Sequence, residues 1–463
     1  MASITLNFSV EVSAPELIKP EKPTPREFKY LSNIDDQIGL RNHIPFVHFY
    51  LPTMHANHDH NDPVAMIKQA LSKVLVYYHP VAGRLRNGDK GKLVVDCCGE
   101  GVIFREGNAD IKLAELCNAV DDDGLKPPFP QWDKLLVDDI WGSNFIIDSS
   151  LLRMQVTRFA CGGFVLAYTF NHCICDAYGA YQFIKAISEF CTNPTQTTPT
   201  ALPSWGRETL KPRSSLTISY PHLEYGTSKN PTITYAESQF KTLAQTSIFL
   251  SPTDISLLKN QPNNQKLPTF DAVSACLWRA RTRTLLNPES TTRLLFPIDT
   301  RFRYKPLLPK GYYGSAVVFP CAITKASELV DKPLSYAAGL ISEVKKEVGE
   351  DEYRASVLDF IEANGRKGFH SEGAFVVSDM TRLRFGELDF GWGKGIYGGP
   401  SRAGTGLVPG MVTSLVTHKN KEGVVGILAL VSLPQEFVDK FHKEIRKEIN
   451  DCNIAVGKLV SAL

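Results

Sequence analysis

The feature that most constrains the fold and the function of this chain is a histidine placed just after a predicted buried strand. The run 164–170 is apolar and aromatic, which predicts a buried strand, and His172 follows it by two residues. Asp176 comes four residues after this histidine, before a segment (178–191) whose apolar residues recur at helical spacing. A histidine held at the end of a rigid strand is a candidate general base with a fixed orientation. The pattern therefore predicts an active site at a strand–helix junction.

The same His-x-x-x-Asp spacing occurs twice more, in a polar stretch before another predicted helix. That helix is predicted to begin with Asp62 as its N-cap and Pro63 at its first position. A flexible loop is a poor place for a base that needs a fixed orientation. Three histidines of the stretch, His55, His58 and His60, offer a metal site, but no cysteine or carboxylate cluster completes it. We therefore interpret the stretch as a solvated loop and predict no metal site.

Composition bounds the number of domains, the kinds of partner and the cellular compartment of this protein. The 463 residues are enough for two domains, and 51 basic against 49 acidic residues give no reason to expect a nucleic-acid partner. The opening residues have no basic region and no long apolar core, so we predict no signal peptide, and no apolar run reaches membrane-spanning length. We therefore predict a cytoplasmic protein whose ten cysteines are reduced thiols. The ending 461–463 departs from the peroxisomal Ser-Lys-Leu signal at its basic position, so a peroxisomal address is the weaker alternative.

The predicted elements indicate a mixed α/β chain of two domains. Residues 192–222 are rich in proline, threonine and asparagine, which predicts a long crossover connection. Strands and helices precede this segment and begin again after it, in roughly similar order. We therefore predict one domain over 1–191, a linker over 192–222 and a second domain over 223–463.

A second motif lies in the later domain, where residues 389–393 read Asp-Phe-Gly-Trp-Gly. Glycines on both sides of Trp392 favour a tight turn, with the indole packed in the core. The aromatic neighbours predict partial burial of Asp389, and a buried carboxylate needs a cation. Arg301 and Arg303 are the candidate partners, and we favour a structural ion pair over a direct catalytic role.

Together the two motifs resemble the signature of the plant BAHD acyl-CoA-dependent acyltransferases. The resemblance covers essentially the whole chain, because other segments fit in the same order: 23–28, 31–37, 79–85, 269–271, 277–279 and 308–314. Residues 34–37 and 397–400 look most like benzyl alcohol benzoyltransferases and related volatile-ester alcohol acyltransferases. The chain departs from the family pattern at Ala177, where glycine often follows the aspartate, and at Ser315, where asparagine is frequent.

The resemblance implies two related chloramphenicol-acetyltransferase-like domains with mixed sheets and an active site at their interface. It implies that His172 is the general base and that Asp176 holds the local backbone through an ion pair. Asp389 is implied as the second member of the catalytic set, paired with Arg301 and supported by Gly391 and Trp392. The residues implied in substrate binding are Thr269, Trp278, Ser378, Met380 and Thr381.

The implied reaction moves a benzoyl-type or short aliphatic acyl group from acyl-CoA to the hydroxyl of a small alcohol. A thioester is already activated, so the alcohol needs only deprotonation and alignment, and no acyl-enzyme is expected. Acyl-CoA is then a co-substrate, and we predict a monomer without a resident cofactor, a metal, a nucleic-acid partner or a membrane partner. Cys173 and Cys175 beside the base are interpreted as packing residues.

Two alternatives to this reaction stay open, and two other classes of enzyme are disfavoured. The acceptor could be a more complex natural-product hydroxyl, such as that of an alkaloid or terpenoid. The chain could also be a non-catalytic acyl-CoA-binding relative, although its motif residues are intact. Asn171 and Ala177 argue against a peptide-condensation enzyme of the same fold, and the absence of a G-x-S-x-G sequence argues against a serine hydrolase.

Overall fold

The structure, a computed structural model, describes residues 6–52, 62–119, 123–129, 132–137, 146–226, 243–260, 266–404 and 410–460. The predicted loop histidines His55, His58 and His60 and the ending 461–463 lie outside the described residues. Within the described stretches, no helix is both long enough and apolar enough to cross a bilayer.

The α-helices of the described chain are mostly amphipathic. Their bounds are α1 (Pro63–Tyr77), α2 (Leu113–Asn118), α3 (Ala177–Thr192), α4 (Pro252–Lys259), α5 (Thr269–Leu285), α6 (Ala326–Asp331), α7 (Leu334–Glu347), α8 (Asp351–Asn364) and α9 (Val438–Val460).

The strands of the first half are β1 (Val10–Val12), β2 (Glu16–Ile18), β3 (Phe28–Tyr30), β4 (His43–Tyr50), β5 (Arg84–Asn87), β6 (Leu93–Asp96), β7 (Val102–Ala109), β8 (Leu152–Phe159) and β9 (Phe164–Asn171). Those of the second half are β10 (Leu243–Leu250), β11 (Thr291–Leu295), β12 (Ile298–Asp299), β13 (Val317–Val318), β14 (Cys321–Lys325), β15 (Ala374–Asp379), β16 (Tyr397–Pro400), β17 (Val412–Lys419) and β18 (Val425–Pro434).

Two mixed sheets organise the molecule. The first has the strand order β1-β7-β8-β9-β4-β16, with β2 also paired to β7, and β7 and β8 run parallel. The second has the order β10-β18-β17-β15-β11-β14, and β15 runs parallel to both of its neighbours. Each sheet packs against helices around its own hydrophobic core. The predicted mixed α/β fold with two domains is confirmed.

One strand crosses between the two halves of the sequence. β16 belongs to the second half, yet it pairs antiparallel with β4 at the edge of the first sheet. A cut at the predicted crossover segment therefore does not separate the two sheets. The domain boundaries 1–191, 192–222 and 223–463 stay a prediction, to which the structure adds this exchanged strand.

Several local predictions are confirmed by the elements around the candidate site. Helix α1 begins at Pro63, and the Asp62 carboxylate accepts hydrogen bonds from the N–H groups of Val64 and Ala65 as an N-cap. Strands β8 and β9 form an antiparallel hairpin joined through Gly162. Burial of every β9 side chain fits its apolar sequence and makes this strand a rigid support for the turn at its C-terminal end.

Candidate active site

His172 lies in the turn that joins β9 to α3. Its backbone N–H donates a hydrogen bond to the carbonyl oxygen of Asn42, 2.8 Å away, just before β4. The side-chain oxygen of Asn171 accepts the N–H of Cys173 at 3.0 Å. Because both bonds attach the turn to a central strand pair, the position of the His172 backbone is fixed from two sides.

The imidazole of His172 is oriented by a backbone carbonyl. Its Nδ1 lies 3.1 Å from the carbonyl oxygen of Cys175. A carbonyl can only accept, so Nδ1 carries the proton and donates it, and the neutral ring has its lone pair on Nε2. Nε2 accepts no hydrogen bond from a side chain or backbone group in the described part of the chain. The free lone pair makes Nε2 the atom that can take a proton from a substrate.

The surroundings of His172 keep the ring neutral. Burial lowers the pKa of His172 below its ordinary value, and the carboxylates of Asp176 and Asp35 oppose this shift only in part. The imidazole is therefore unprotonated at neutral pH, which is the form that a general base requires.

Asp176 faces away from the imidazole and ties the turn to the second half of the chain. It is the N-cap of α3, where its carboxylate accepts the N–H of Gly179 at 3.0 Å. The same carboxylate accepts Arg301 Nη2 at 2.8 Å and the N–H of Ala316 at 3.1 Å. Asp176 and Arg301 are only 4% and 3% exposed, so this is a buried, fully hydrogen-bonded ion pair.

Arg301 is held in its charged form by this arrangement. Burial alone lowers the pKa of a guanidinium, but the carboxylates of Asp176 and Asp299 outweigh it and raise the pKa of Arg301. Arg301 Nη2 also donates to the carbonyl of Gly314. The pair therefore fixes the start of α3 against residues 314–316.

The close approach at the start of α3 requires a glycine at position 179. A Cβ at Gly179 would lie 1.9 Å from the carbonyl oxygen of Tyr313, which no side chain tolerates. The family pattern often has glycine at position 177, where this chain has Ala177. The close approach in this structure requires the glycine two residues later, at position 179. The departure from that pattern leaves the close packing of α3 intact.

The cysteines beside the base belong to the core. Cys173 is fully buried and Cys175 is 3% exposed, and both lie in the hydrophobic core around the first sheet. Burial raises the pKa of both thiols well above the ordinary value, so neither is a thiolate at neutral pH. Their interpretation as packing residues is confirmed, and all ten cysteines of the chain are free.

The Asp389 carboxylate stabilises a glycine turn. Its Oδ1 accepts the N–H groups of Gly391 at 2.7 Å and Gly393 at 2.8 Å, and the side chain is partly exposed. Trp392 is 6% exposed and packs edge-on against Phe164, with ring centroids 5.1 Å apart. The predicted turn with a core tryptophan is confirmed.

The expected ion pair between Asp389 and Arg301 is wrong, because Arg301 pairs with Asp176 and Asp299. The glycine turn also lies at the other end of β9 from the candidate base. Phe164 is the first residue of β9 and His172 follows its last, a separation of about 26 Å at the rise of an extended strand. The structure therefore does not bring Asp389 to the atoms that His172 can reach.

The predicted substrate-binding residues lie on different elements and differ in how deeply they are buried. Thr269 is half-buried at the first turn of α5, and Ser378 and Thr381 are half-buried near the end of β15. Met380 is buried among the side chains of the first core. Trp278 is fully buried in the second core, so it has no surface for a ligand and does not support the predicted contact.

An arginine that the sequence analysis did not single out also reaches the His172 turn, with an aspartate as its partner. Arg207 lies in the crossover segment and donates to the carbonyl of Ile174 at 2.6 Å, and Asp35 forms an ion pair with it. Asp35 lies within the segment 31–37 that carries part of the family resemblance, which was the one available signal. Nothing in the local pattern around Arg207 indicates its destination, since its partners are remote in sequence.

A second histidine cluster resembles a hydrolytic triad. His222 Nε2 lies 2.7 Å from Ser356 Oγ, and its Nδ1 lies 3.0 Å from Glu224 Oε1. The three residues are at most 3% exposed, so no substrate can reach this serine. Ser356 Oγ instead accepts the N–H groups of Ser219 and Tyr220, so the cluster anchors the end of the crossover segment on α8. Among the described residues, no three histidine, cysteine or acidic side chains are grouped as metal ligands would be.

Comparisons with known proteins show the family of this chain. Residues 8–448 match the family described as the Transferase family. The chain is 42% identical over 446 residues to benzyl alcohol O-benzoyltransferase of Petunia hybrida, covering 96% of this chain and 94% of the relative. It is 42% identical to 13-hydroxylupanine O-tigloyltransferase of Lupinus albus, covering 95% of each chain.

A solved structure shares the fold. The crystal structure of vinorine synthase superimposes with a TM-score of 0.72 at 20% sequence identity, covering 93% of this chain and 96% of that one. The likeness therefore extends over nearly all of both chains. From its motifs, its fold and its full-length relatives, the chain belongs to the BAHD branch of the Transferase family, the acyl-CoA-dependent acyltransferases.

Proposed function

We propose that His172 is the general base that removes the proton of an alcohol hydroxyl while that hydroxyl takes the acyl group from acyl-CoA. The reaction class, ester formation from acyl-CoA and an alcohol, follows from the family. The observation that supports the role of His172 is its tautomer, since the bond from Nδ1 to the Cys175 carbonyl leaves the Nε2 lone pair available.

The steps of the reaction follow from that lone pair. The alcohol hydroxyl donates its proton to Nε2 as its oxygen attacks the thioester carbonyl carbon. The tetrahedral intermediate then expels the CoA thiolate, which takes the proton back from the imidazolium, so the products are an ester and free CoA. No bond to the protein forms, and we expect sequential kinetics without an acyl-enzyme.

Asp176 and Arg301 act through position in this proposal. They hold the start of α3, at the end of the turn, against residues 314–316 while the imidazole faces the other way. Geometric alignment of a base with its substrate accounts for a large part of the rate of such reactions. Asp389, Gly391 and Trp392 then maintain the fold at the far end of β9.

The substrate proposal rests on the relatives. Benzyl alcohol O-benzoyltransferase is similar over nearly its full length, so we propose a benzoyl-type or short aliphatic acyl group and a small primary alcohol. The lupin relative, named for a tigloyl transfer to 13-hydroxylupanine, favours a complex natural-product hydroxyl as the second candidate. Residues Thr269, Ser378, Met380 and Thr381 stay candidates for contact with these substrates.

A matrix of acyl-CoA esters against alcohols decides between the two acceptor classes. CoA release gives the rate, and product mass identifies the ester. We expect the highest kcat/KM with benzoyl-CoA or a short acyl-CoA and a primary alcohol. Faster turnover of a polycyclic alcohol would favour the second candidate, and saturable CoA binding without turnover on any pair would favour the non-catalytic alternative.

We further propose a cytoplasmic monomer that needs no cofactor besides its co-substrate acyl-CoA and consists of domains over 1–191 and 223–463. Mass spectrometry after incubation with acyl-CoA alone tests the absence of an acyl-enzyme, because a covalent intermediate adds the mass of one acyl group. Sedimentation at working concentration tests the oligomeric state.

A further inference from the structure

One arginine of the crossover segment, Arg207, is buried against the His172 turn. Arg207 is 3% exposed, and its Nη2 donates to the carbonyl oxygen of Ile174 at 2.6 Å. Ile174 lies inside the turn, and the next carbonyl, that of Cys175, is the one that orients the imidazole. One guanidinium nitrogen is therefore bonded to the peptide group adjacent to the one that orients the base.

The Arg207 guanidinium is fixed on its other sides. Its central carbon lies 3.6 Å from the centre of the Trp205 ring and 4.8 Å from that of Tyr313, so aromatic faces hold its plane. Its Nη1 donates to the Trp205 carbonyl at 3.1 Å, and its Nε lies 3.4 Å from Asp35 Oδ2 as an ion pair. Few orientations of the side chain satisfy these contacts together.

Asp35, the partner of Arg207, is itself fully hydrogen-bonded. It has no exposed surface, and it accepts the N–H and hydroxyl of Ser32 at 3.0 and 2.6 Å. It also accepts the N–H of Ser315 at 2.8 Å, while the next N–H, of Ala316, goes to Asp176. The aspartates of the two aspartate–arginine pairs thus bind neighbouring backbone N–H groups, those of Ser315 and Ala316.

From this geometry we infer that Arg207 is a positioning residue for the proposed base, His172. It holds the Ile174 peptide so that the Cys175 carbonyl stays in line with Nδ1 and Nε2 keeps its direction. The expected effect of Arg207 on the rate rests on the proposed function, because it acts through His172 as the base. Its effect on the imidazole itself does not depend on the reaction.

Lysine cannot replace arginine in this role. The planar guanidinium donates to Ile174 with one nitrogen while another faces Asp35, and its plane stacks on Trp205. An ammonium group has the charge but neither the fork nor the flat surface. Arg207→Lys therefore removes the geometry and leaves the charge nearly unchanged.

The charges around the imidazole define the expected change in its titration. The charged groups on the described elements packed around the turn are Asp35, Asp36, Arg41, Asp176, Arg207, Arg301 and Asp299. Arg207→Lys keeps this set, so a change in the pKa of His172 would come from the burial of the ring and from its bond to the Cys175 carbonyl. Weakening that bond lowers the pKa, but burial is the larger of the two causes, so the net change follows the burial. A loosened turn admits water, which raises the pKa of His172 toward its ordinary value.

The test compares Arg207→Lys with Arg213→Lys. Arg213 lies in the same crossover segment and bridges to buried Asp359 at 2.6 Å and to Glu352, so its ion pairs lie away from the His172 turn. For both variants the experiment measures kcat, KM for acyl-CoA, the melting temperature and the His172 pKa. The pKa is read from the imidazole carbon resonance, assigned with His172→Gln.

We expect Arg207→Lys to lower kcat by about 10- to 100-fold, the effect typical of a residue that orients a functional group. KM for acyl-CoA should stay within about threefold, because substrate binding is intact while the alignment of the base is lost. The pKa of His172 should rise, because water reaches the ring in the loosened turn. Arg213→Lys should lower the melting temperature without changing kcat or the His172 pKa. Equal effects of the two variants on kcat, or an unchanged His172 pKa in Arg207→Lys, would overturn the inference.

Trp205→Leu provides a milder variant if Arg207→Lys does not fold. It removes the stacking surface and keeps every hydrogen-bond partner of Arg207. The expected result is a smaller loss of kcat with the same direction of change in the His172 pKa, and no change in either would overturn the inference. If His172→Ala proves active, the proposed base fails, while the His172 pKa still decides whether Arg207 positions the ring.

Discussion

The two ends of strand β9 differ in how they are held. At its C-terminal end, the His172 turn is tied by two buried aspartate–arginine pairs, Asp176–Arg301 and Asp35–Arg207. At its N-terminal end, Phe164 packs against Trp392 of the glycine turn. Charge and directional hydrogen bonds therefore fix the end that carries the candidate base, and aromatic packing fixes the other.

The difference corresponds to the separate roles of the two ends. A general base requires a defined orientation, and charge-assisted hydrogen bonds specify direction more strictly than apolar contact does. The glycine turn needs only to fill volume and to satisfy its backbone, which Trp392 and the Asp389 carboxylate accomplish. Substitutions at the two ends should therefore fail in different ways.

The largest effect is expected at His172. His172→Ala removes the proton acceptor while the turn keeps its two ion pairs, so turnover should fall by roughly two to four orders of magnitude. Melting temperature and CoA binding should stay close to those of the unsubstituted protein. The matched controls are His55→Ala and His58→Ala, which carry the same His-x-x-x-Asp spacing and should change the rate little.

Activity of His172→Ala within tenfold of the unsubstituted enzyme would show that this end of β9 does not carry the base. A large loss in either control would instead indicate that the histidine replaced in that control takes part in the reaction.

The next largest effect is a loss of stability at the same end. Arg301→Met leaves the Asp176 carboxylate buried without its cation, which should lower the free energy of unfolding by about 3–5 kcal/mol. Arg303→Met is the control, because Arg303 is exposed two residues away and should change stability little. Urea unfolding of both variants gives the comparison, and equal losses would contradict the role of the buried pair.

A smaller effect is expected at the opposite end. Asp389→Ala removes an acceptor for the N–H groups of Gly391 and Gly393, and these exposed groups can bind water instead. The loss should be about 1–2 kcal/mol, as for a helix cap, with kcat close to normal. Asp389→Asn keeps one acceptor oxygen and should lose less. An inactive but stable Asp389→Ala would return Asp389 to the catalytic set.

The predicted helices and the His172 turn show how far local sequence determines structure. Helix α3 spans Ala177–Thr192, as the apolar spacing over 178–191 predicts, and α1 begins at Pro63 after its aspartate cap. Both depend on neighbours within a few residues. The position of His172 after a buried strand is local in the same sense, so it was predictable.

Features that depend on distant residues were not predictable. The partner of Arg301 was misassigned because two aspartates, Asp176 and Asp389, were available and only the packing of α3 decides between them. Arg207 has its partners at Asp35 and Ile174, and no spacing rule relates these positions. Strand β16 contains Gly398 and Gly399, which weaken a strand pattern, and only its pairing with β4 makes it one.

The most direct test of the account is the pH dependence of kcat/KM together with the titration of His172 in the same protein. Only the neutral imidazole accepts a proton, and burial lowers its pKa below the ordinary value of about 6.5. We predict a plateau above neutral pH and a tenfold fall per pH unit on the acid side, with a midpoint below about 6.5 that coincides with the His172 resonance. A midpoint at or above about pH 7, or one that does not follow the His172 titration, would contradict the assignment of His172 as the base.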